Sequence, residues 1–533
     1  MNSAQQKEFL SGYGGCRRSI ATVLVIVGGL MGGHQAHSQS ADVKPASSVV
    51  CYEDFGAKGD GVSDDVRALV KAHEHANAHR LPVRAKDGAI YRIGKTLQTI
   101  VIETNTDFAK AKFLIDDSEL QKAPSPLFLV RSRLKAIDLV GVKSLQRKQT
   151  KMDVKLPVPS VVIVTNKNVK QFIRRGNNAN DGSPQTDMLL VNIDGTIAPS
   201  NPVIWNFDEI TSLIALPLDP DLLKVSGGHF TTIANAAVSQ EDYFGRGIVI
   251  NRSNVVLDGI EHHITGEGAS GAPYRGFISV SKCANVSIRN SVFAGHKTYQ
   301  FAAKNGQMTS KGTYDLRFDC ALNVTLFRCR QSNDILDSNR WGIMGSNFCK
   351  NLTYDQCQLS RFDAHQGVTH ATIRDSVIGH AGLQLTGFGT FLIENSTVKS
   401  GNFVDLRPDY GSTWTGEWII RNCRHEPQGK ITSPPILING SNDGRHNFGY
   451  ECQMPWRISI DGLHVMDGEA GSKSAGACLL GNFHPRWSSE SSQPFPYTLT
   501  KEIHLKNYSS TSGQACQLST NVAMFQGVRV IEK

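Results

Sequence analysis

The stretch "SRFDAHQGVTHATIRDSV", Ser360–Val377, sets Arg361, Asp363 and His365 at alternate positions of a strand-like run. Further polar and aromatic residues crowd the chain on either side: Asp337, Arg340, Trp341 and His380, then Arg407, Asp409, Tyr410 and Trp414. Aspartate and histidine move protons, arginine presents a planar fork of donors to hydroxyls or carboxylates, and an indole offers an apolar platform to one face of a pyranose. Together these residue types make up a sugar groove.

Two reactions suit them. A single-displacement glycosidase needs one carboxyl acid and one carboxylate base about 6.5–9.5 Å apart, with a water between. Asp363 is the first candidate, with Asp409 or Asp337 as partner and His365 or His380 orienting a carboxylate. A polysaccharide lyase instead neutralises the carboxylate of a uronic acid and removes the neighbouring C5 proton. Arg340, Arg361 or Arg407 would neutralise, and His365, His380 or Tyr410 would abstract. The third reading is a non-catalytic, glycan-binding scaffold. Carboxylate chemistry makes hydrolysis the leading expectation, with Arg340, Trp341, Arg361, Arg407, Tyr410 and Trp414 as substrate contacts. No cofactor is called for. A metal site from His262, His263 and Glu267 is disfavoured, because neighbours on an extended strand point to opposite faces. The cysteines are scattered, without a CxxC pair, so no thiolate metal site is expected either.

Residues so far apart need a scaffold that brings them together, and the sequence supplies a repeating one. "NVVLDG" from Asn254 returns as "NVSIRNS" from Asn285, "NVTLFRC" from Asn323, "NLTYDQC" from Asn351 and "HATIRDS" from His370. The series continues as "TFLIENS" from Thr390, "EWIIRNC" from Glu417, "PILINGS" from Pro435, "RISIDG" from Arg457 and "EIHLKN" from Glu502. Each is a short strand, apolar at its second and fourth positions and closed by a polar turn. Such strands cannot bury their apolar faces alone, but stacked coil on coil they enclose a continuous core. A sandwich or propeller has the same short-strand texture yet gives no reason for one motif to recur with variable insertions. The long interval from Arg457 to Glu502 is expected to hide one further coil. Counting back from these strand starts places Arg340 with Trp341, Asp363 with His365, His380, and Arg407 with Asp409 on four successive coils of one side.

Upstream, "DFGAKGDGVSDD", Asp54–Asp65, sets glycine turns before a helix expected to be capped by Ser63, striped by Val66, Leu69, Val70 and His73, and stopped before Pro82. "KNVKQFIRRGNN" and "DMLLVNIDGTI" read as further coils, and "LPLDPDLLKVSGGHF" as an excursion from them. The Asp54–Asp65 motif resembles the entrance motif of the pectate-lyase-like superfamily, and the coil pattern extends the resemblance over roughly residues 50–533. It implies an all-β fold, a single-stranded right-handed parallel β-helix with an N-terminal capping helix, and carbohydrate chemistry by hydrolysis, elimination or epimerisation. The carboxylate signatures of the polygalacturonase-type hydrolases do not line up here, so the residues above rest on their own chemistry.

At the N-terminus, Arg17 and Arg18 precede an apolar run from Ile20 to Met31 and a small-residue site near Ser38, the layout of a secretory signal. The expected division is residues 1–38 as signal, 39–95 as entrance strand and cap, and 96–533 as parallel β-helix with inserted loops. The product would be secreted or periplasmic, with no stable membrane insertion once the signal is removed. A net charge of +8 favours an anionic polysaccharide or oligosaccharide by long-range attraction. No basic run suggests nucleic acid.

Overall fold

In a computed structural model, the described residues are 48–533 apart from 177, 238–241, 303–305, 430, 432, 469–475, 485–496 and 533. The expected signal, 1–38, lies outside them. Strands dominate, and nearly all pair in parallel in one wound sheet of thirty strands. The second positions of the repeats stack in one column, Val255–Val286–Val324–Leu352–Ala371–Phe391–Trp418–Ile458–Ile503, in unbroken register. Their fourth positions stack likewise from Leu257 to Leu505, and both columns are buried. This is the first wall of a solenoid, a parallel β-helix as expected. A second wall runs through Phe113, Phe230 and His262. A third runs through Phe128, Ile248, Ile278, Leu316 and Met344.

Two expectations fail here. The motif at Pro435 is not on the first wall, because Ile436–Asn439 pairs with Val404–Leu406. Arg457 pairs directly with Glu502, so the long interval between them is a loop-bearing coil and hides no extra one.

The asparagines that open four of the repeats explain how the coils turn. Asn254, Asn285, Asn323 and Asn351 all have left-handed backbone, φ +54° to +61°, which asparagine tolerates better than most residues. The side-chain amides of Asn285, Asn323 and Asn351 each donate to the side-chain carbonyl of the asparagine in the preceding coil, at 2.9, 2.9 and 2.8 Å, and that of Asn254 donates to the Asp219 backbone carbonyl. The ladder therefore fixes the corner and the register together.

The helix Val66–His79 packs Val66, Leu69 and His73 onto the first coil and ends at Arg80, before Pro82. It starts later than expected. Ser63 lies in the strand Asp60–Asp64, with its hydroxyl donating to Asp60 at 2.9 Å. Asp65 precedes the helix, and its carboxylate accepts the Lys58 and Gly59 amides, at 2.7 and 3.2 Å. The glycine turn is thus tied to the start of the cap.

The middle segment reverses its sequence reading. The stretches 167–178 and 187–197, expected as coils, instead send their strands into an antiparallel sheet of Ile137–Asp138, Ser160–Gln171, Ser183–Val191 and Ser212–Pro217. This insert has its own core of Leu145, Val162, Leu189, Ile197, Phe207 and neighbours. The expected excursion instead contributes two genuine coil strands, Leu223–Ser226 and His229–Ile233. Lys350 docks the insert on the solenoid: its Nζ reaches Asp187 Oδ1 and Pro202 O, each at 2.6 Å, with both side chains buried.

Candidate active site

The strand Gln358–Arg374 bends through all three walls. Ala364 and Gln366 pair with consecutive residues, Ser346 and Asn347, so His365 is the extra residue of a β-bulge. A bulge re-aims a side chain out of the alternating pattern. It turns His365 toward Asn347 on the preceding coil, whose Oδ1 lies 2.8 Å from Nδ1. The Asn347 amide nitrogen donates to Asp319 at 2.6 Å, and Arg317 holds Asp319 at 2.5 Å. Because that donation fixes which way Asn347 faces, Nδ1 of His365 carries the hydrogen and Nε2 offers its lone pair. Nε2 lies 3.3 Å from the hydroxyl of Tyr410.

Beside this relay runs a chain of alternating charge. Arg361 Nη2 meets Asp363 at 2.8 Å, and Arg407 Nη1 meets the other Asp363 oxygen at 2.8 Å. The Nη2 and Nε atoms of Arg407 grip Asp409 at 2.7 and 3.2 Å, and Arg174 Nη2 reaches Asp409 at 2.8 Å. Asp363 is 1% exposed, whereas Asp409 keeps 19% of its side chain open. Burial pushes Asp409 up, but Arg407 and Arg174 outweigh it and hold the carboxyl below its usual range. Burial lowers His365 well below the ordinary imidazole value, and Arg407, Arg174, Arg361 and Arg317 lower it further. Burial raises the Tyr410 phenol. The centre thus gathers an imidazole favoured neutral, a phenol favoured protonated and four guanidinium groups, with His365 itself partly accessible.

The structure gathers Arg361, Asp363, His365, Arg407, Asp409 and Tyr410, all read from the sequence as candidates. Trp341 borders them, its ring under the Arg361 guanidinium at 5.7 Å and edge-on to Tyr314 at 6.5 Å. Asp337 and Arg340 belong to a neighbouring cluster, where Arg340 binds Glu267 at 3.1 Å and Asp337 at 3.2 Å. Both nitrogens of His380 face backbone carbonyls of that loop, those of Ile335 and Arg340, at 3.0 and 3.2 Å, so this ring braces the loop. Trp414 is a correction: it is fully buried, donates to Gly389 O at 2.9 Å and packs against Phe391 and Trp418, so no substrate reaches it. His262 points inward onto Asp315 and His263 outward to solvent, so they do not converge.

Four members of the site were not read from the sequence: Arg174, Arg317, Asp319 and Asn347. The last three face outward at alternate positions of strands one and two coils from Asp363, a parity legible in "LRFDC" and "GSNF". Arg174 arrives from the insert, and no coil-based count reaches it.

The three-walled solenoid with its N-terminal helical cap is the fold of the pectate-lyase-like superfamily of right-handed parallel β-helix proteins. No family model matches the chain. Among solved structures, the tailspike gp61 of Pseudomonas phage phi297 superposes with a TM-score of 0.56 at 17% identity, covering 91% of this chain and 84% of that one. The gp54 tailspike of Acinetobacter baumannii bacteriophage AP22, solved with A. baumannii capsular saccharide, gives 0.52 at 9% identity, covering 88% and 74%. By sequence, a capsule KL64-specific depolymerase of Klebsiella phage P510 is 24% identical over 200 residues, 34% of this chain and 18% of that protein's length.

Proposed function

We propose that this chain is an exported glycan depolymerase that cuts an acidic polysaccharide by β-elimination in the cleft around His365. The observation that carries the reading is the placement of His365: Nδ1 faces the Asn347 side-chain oxygen and Nε2 the Tyr410 hydroxyl, beside four guanidiniums that with burial favour the neutral imidazole. The C5 proton of a uronate is removable once its carboxylate is neutralised, and guanidinium is the side chain suited to that by charge and shape. His365 Nε2 accepts the C5 proton. The electron pair left on C5 forms the new double bond to C4 as the C4–O4 bond breaks, and the departing O4 takes a proton from the Tyr410 phenol. Asp363 and Asp409 hold the arginines in place. That a capsule-specific depolymerase shares part of the sequence, and a tailspike solved with capsular saccharide the fold, supports a glycan substrate.

Hydrolysis by Asp363 and Asp409 is the second reading, favoured by two carboxylates bridged by a single guanidinium. It needs one of them to carry a proton as the acid. Asp363 has an arginine on each oxygen, Arg361 and Arg407, and Asp409 is held below its usual range by Arg407 and Arg174, so neither is placed to offer a proton. The test is a digest of purified capsular and uronate polysaccharides by the mature chain. Elimination gives products with the ultraviolet absorbance of an unsaturated uronate, lost in His365→Ala. New reducing ends without that absorbance would refute elimination in favour of hydrolysis, and failure to shorten any of them would refute both.

A further inference from the structure

We propose that Arg174, carried by the antiparallel insert, is the specificity-determining residue that reads the acidic group of the sugar. The inference rests on the reading that the cleft around His365 acts on an acidic glycan. The four guanidiniums around His365 are not equivalent. Arg407 commits Nε, Nη1 and Nη2 to Asp363 and Asp409 and is 9% exposed. Arg361 is held between Asp363 and the Trp341 ring. Arg317 lays one edge along both oxygens of Asp319. Arg174 engages Asp409 through Nη2 alone, is the most exposed of the four at 24%, and its Nη1 makes no hydrogen bond among the described residues. Its guanidinium lies 5.7 Å from the centre of the Tyr410 ring.

The backbone that presents it is fixed on both sides. The Ile173 amide donates to Phe448 O at 3.1 Å, and the Ile173 carbonyl lies 3.0 Å from His446 Nε2. The Arg175 amide donates to Asp409 O at 3.2 Å. Arg175 commits Nε to Pro408 O at 2.9 Å, Nη2 to Ser441 O at 3.0 Å and Nη1 to Asp443 at 3.1 Å. Phe172 wedges among Phe348, Tyr410 and Tyr450. The two arginines therefore divide the work: Arg175 pins the hairpin end to the solenoid, and Arg174 is left beside Tyr410 with one nitrogen on Asp409. A guanidinium held in this way loses little freedom when it takes a carboxylate, so its contribution goes into discrimination. Recognition of the acid then lies mainly in the insert, and proton transfer in the coils.

The test measures binding of alginate, polygalacturonate and hyaluronan, each beside its carboxyl-reduced polymer, by affinity electrophoresis of the mature chain. A His365→Ala background keeps the polymers uncut, and parallel runs with His365 intact guard against misfolding of that variant. At least one acidic polymer should be held about tenfold or more tighter than its reduced form. Arg174→Gln should abolish that preference while leaving affinity for the reduced polymer within about twofold, and Arg174→Lys should recover only part of it. With His365 intact, Arg174→Gln should raise KM for the acidic polymer and, because the carboxylate is then less well neutralised as C5 loses its proton, lower kcat as well. The proposal is overturned if the preference survives Arg174→Gln, if both polymer forms are weakened alike, or if no acidic form is preferred. Loss of the unsaturated product with the binding pattern intact would refute elimination and leave Arg174 standing.

Discussion

The joint between insert and solenoid can be tested through Lys350→Met. Lys350 and Asp187 are 2% and 1% exposed, and the pair joins two separately cored bodies. Removing one member of a buried pair leaves an uncompensated charge and costs about 3–5 kcal/mol. Asp187 softens this by also accepting the Met188 and Ile204 amides, at 2.7 and 2.9 Å, so the lower end, about 3 kcal/mol, is expected. At about 1.4 kcal/mol per factor of ten, the population with the insert undocked should rise by roughly two orders of magnitude. The amides of Ile173 and Arg175 report on it directly, because their hydrogen bonds cross the joint. Hydrogen exchange with mass detection should show protection falling at residues 172–175 while the solenoid strands Leu316–Phe327 and Met344–Asp355 keep theirs. Adding Asp187→Asn removes the orphaned charge and should restore most of the protection. Unchanged exchange at 172–175, or an equal rise in those solenoid strands, would refute the view that this pair holds the insert. So would a second substitution that deepens the loss.

Two other perturbations follow from the same structure. Asn323→Ala should cost about 2–4 kcal/mol in denaturant unfolding, combining a left-handed backbone at φ +54° with two lost ladder bonds, whereas Asn323→Gly should cost clearly less because only the bonds are lost. Burial holds His425 down at about 4 and His73 at about 3, both below the ordinary value of 6.5. Their stabilisation is complete above pH 6.5 and is lost as pH falls toward those values, by about 1.4 kcal/mol per pH unit for each ring. His425→Gln should flatten the fall in urea midpoint between pH 6.5 and 5 by one ring's share.

The first wall was legible in sequence because a strand buried on one face writes its parity into every other residue. Nine of the ten motifs pair in that column, and the exception, Pro435, shows the limit: an alternating strand does not say which wall it joins. The grouping of Asp363, His365, Arg407, Asp409 and Tyr410 also followed from coil counting. The same counting misplaced His380 and Arg340, because loops of unequal length separate those residues from the first wall. Trp414 carried a signal that was passed over. It stands four residues before Trp418, shares its inward parity, and so belongs to the core. The bulge at His365 and the arrival of Arg174 depend on pairings between distant strands, which no local pattern records.

The insert leaves the stack after Arg131 and returns at Leu223, yet the rows flanking it stack on each other directly: Thr106 on Val225, Phe113 on Phe230, Val130 on Ile250. The solenoid's register is therefore indifferent to what is spliced between them. A different module, longer or shorter, can occupy that junction without shifting these rungs, so the part proposed here to read the polymer is free to be exchanged, by evolution or by grafting, while the wound body that carries His365 stays as it is.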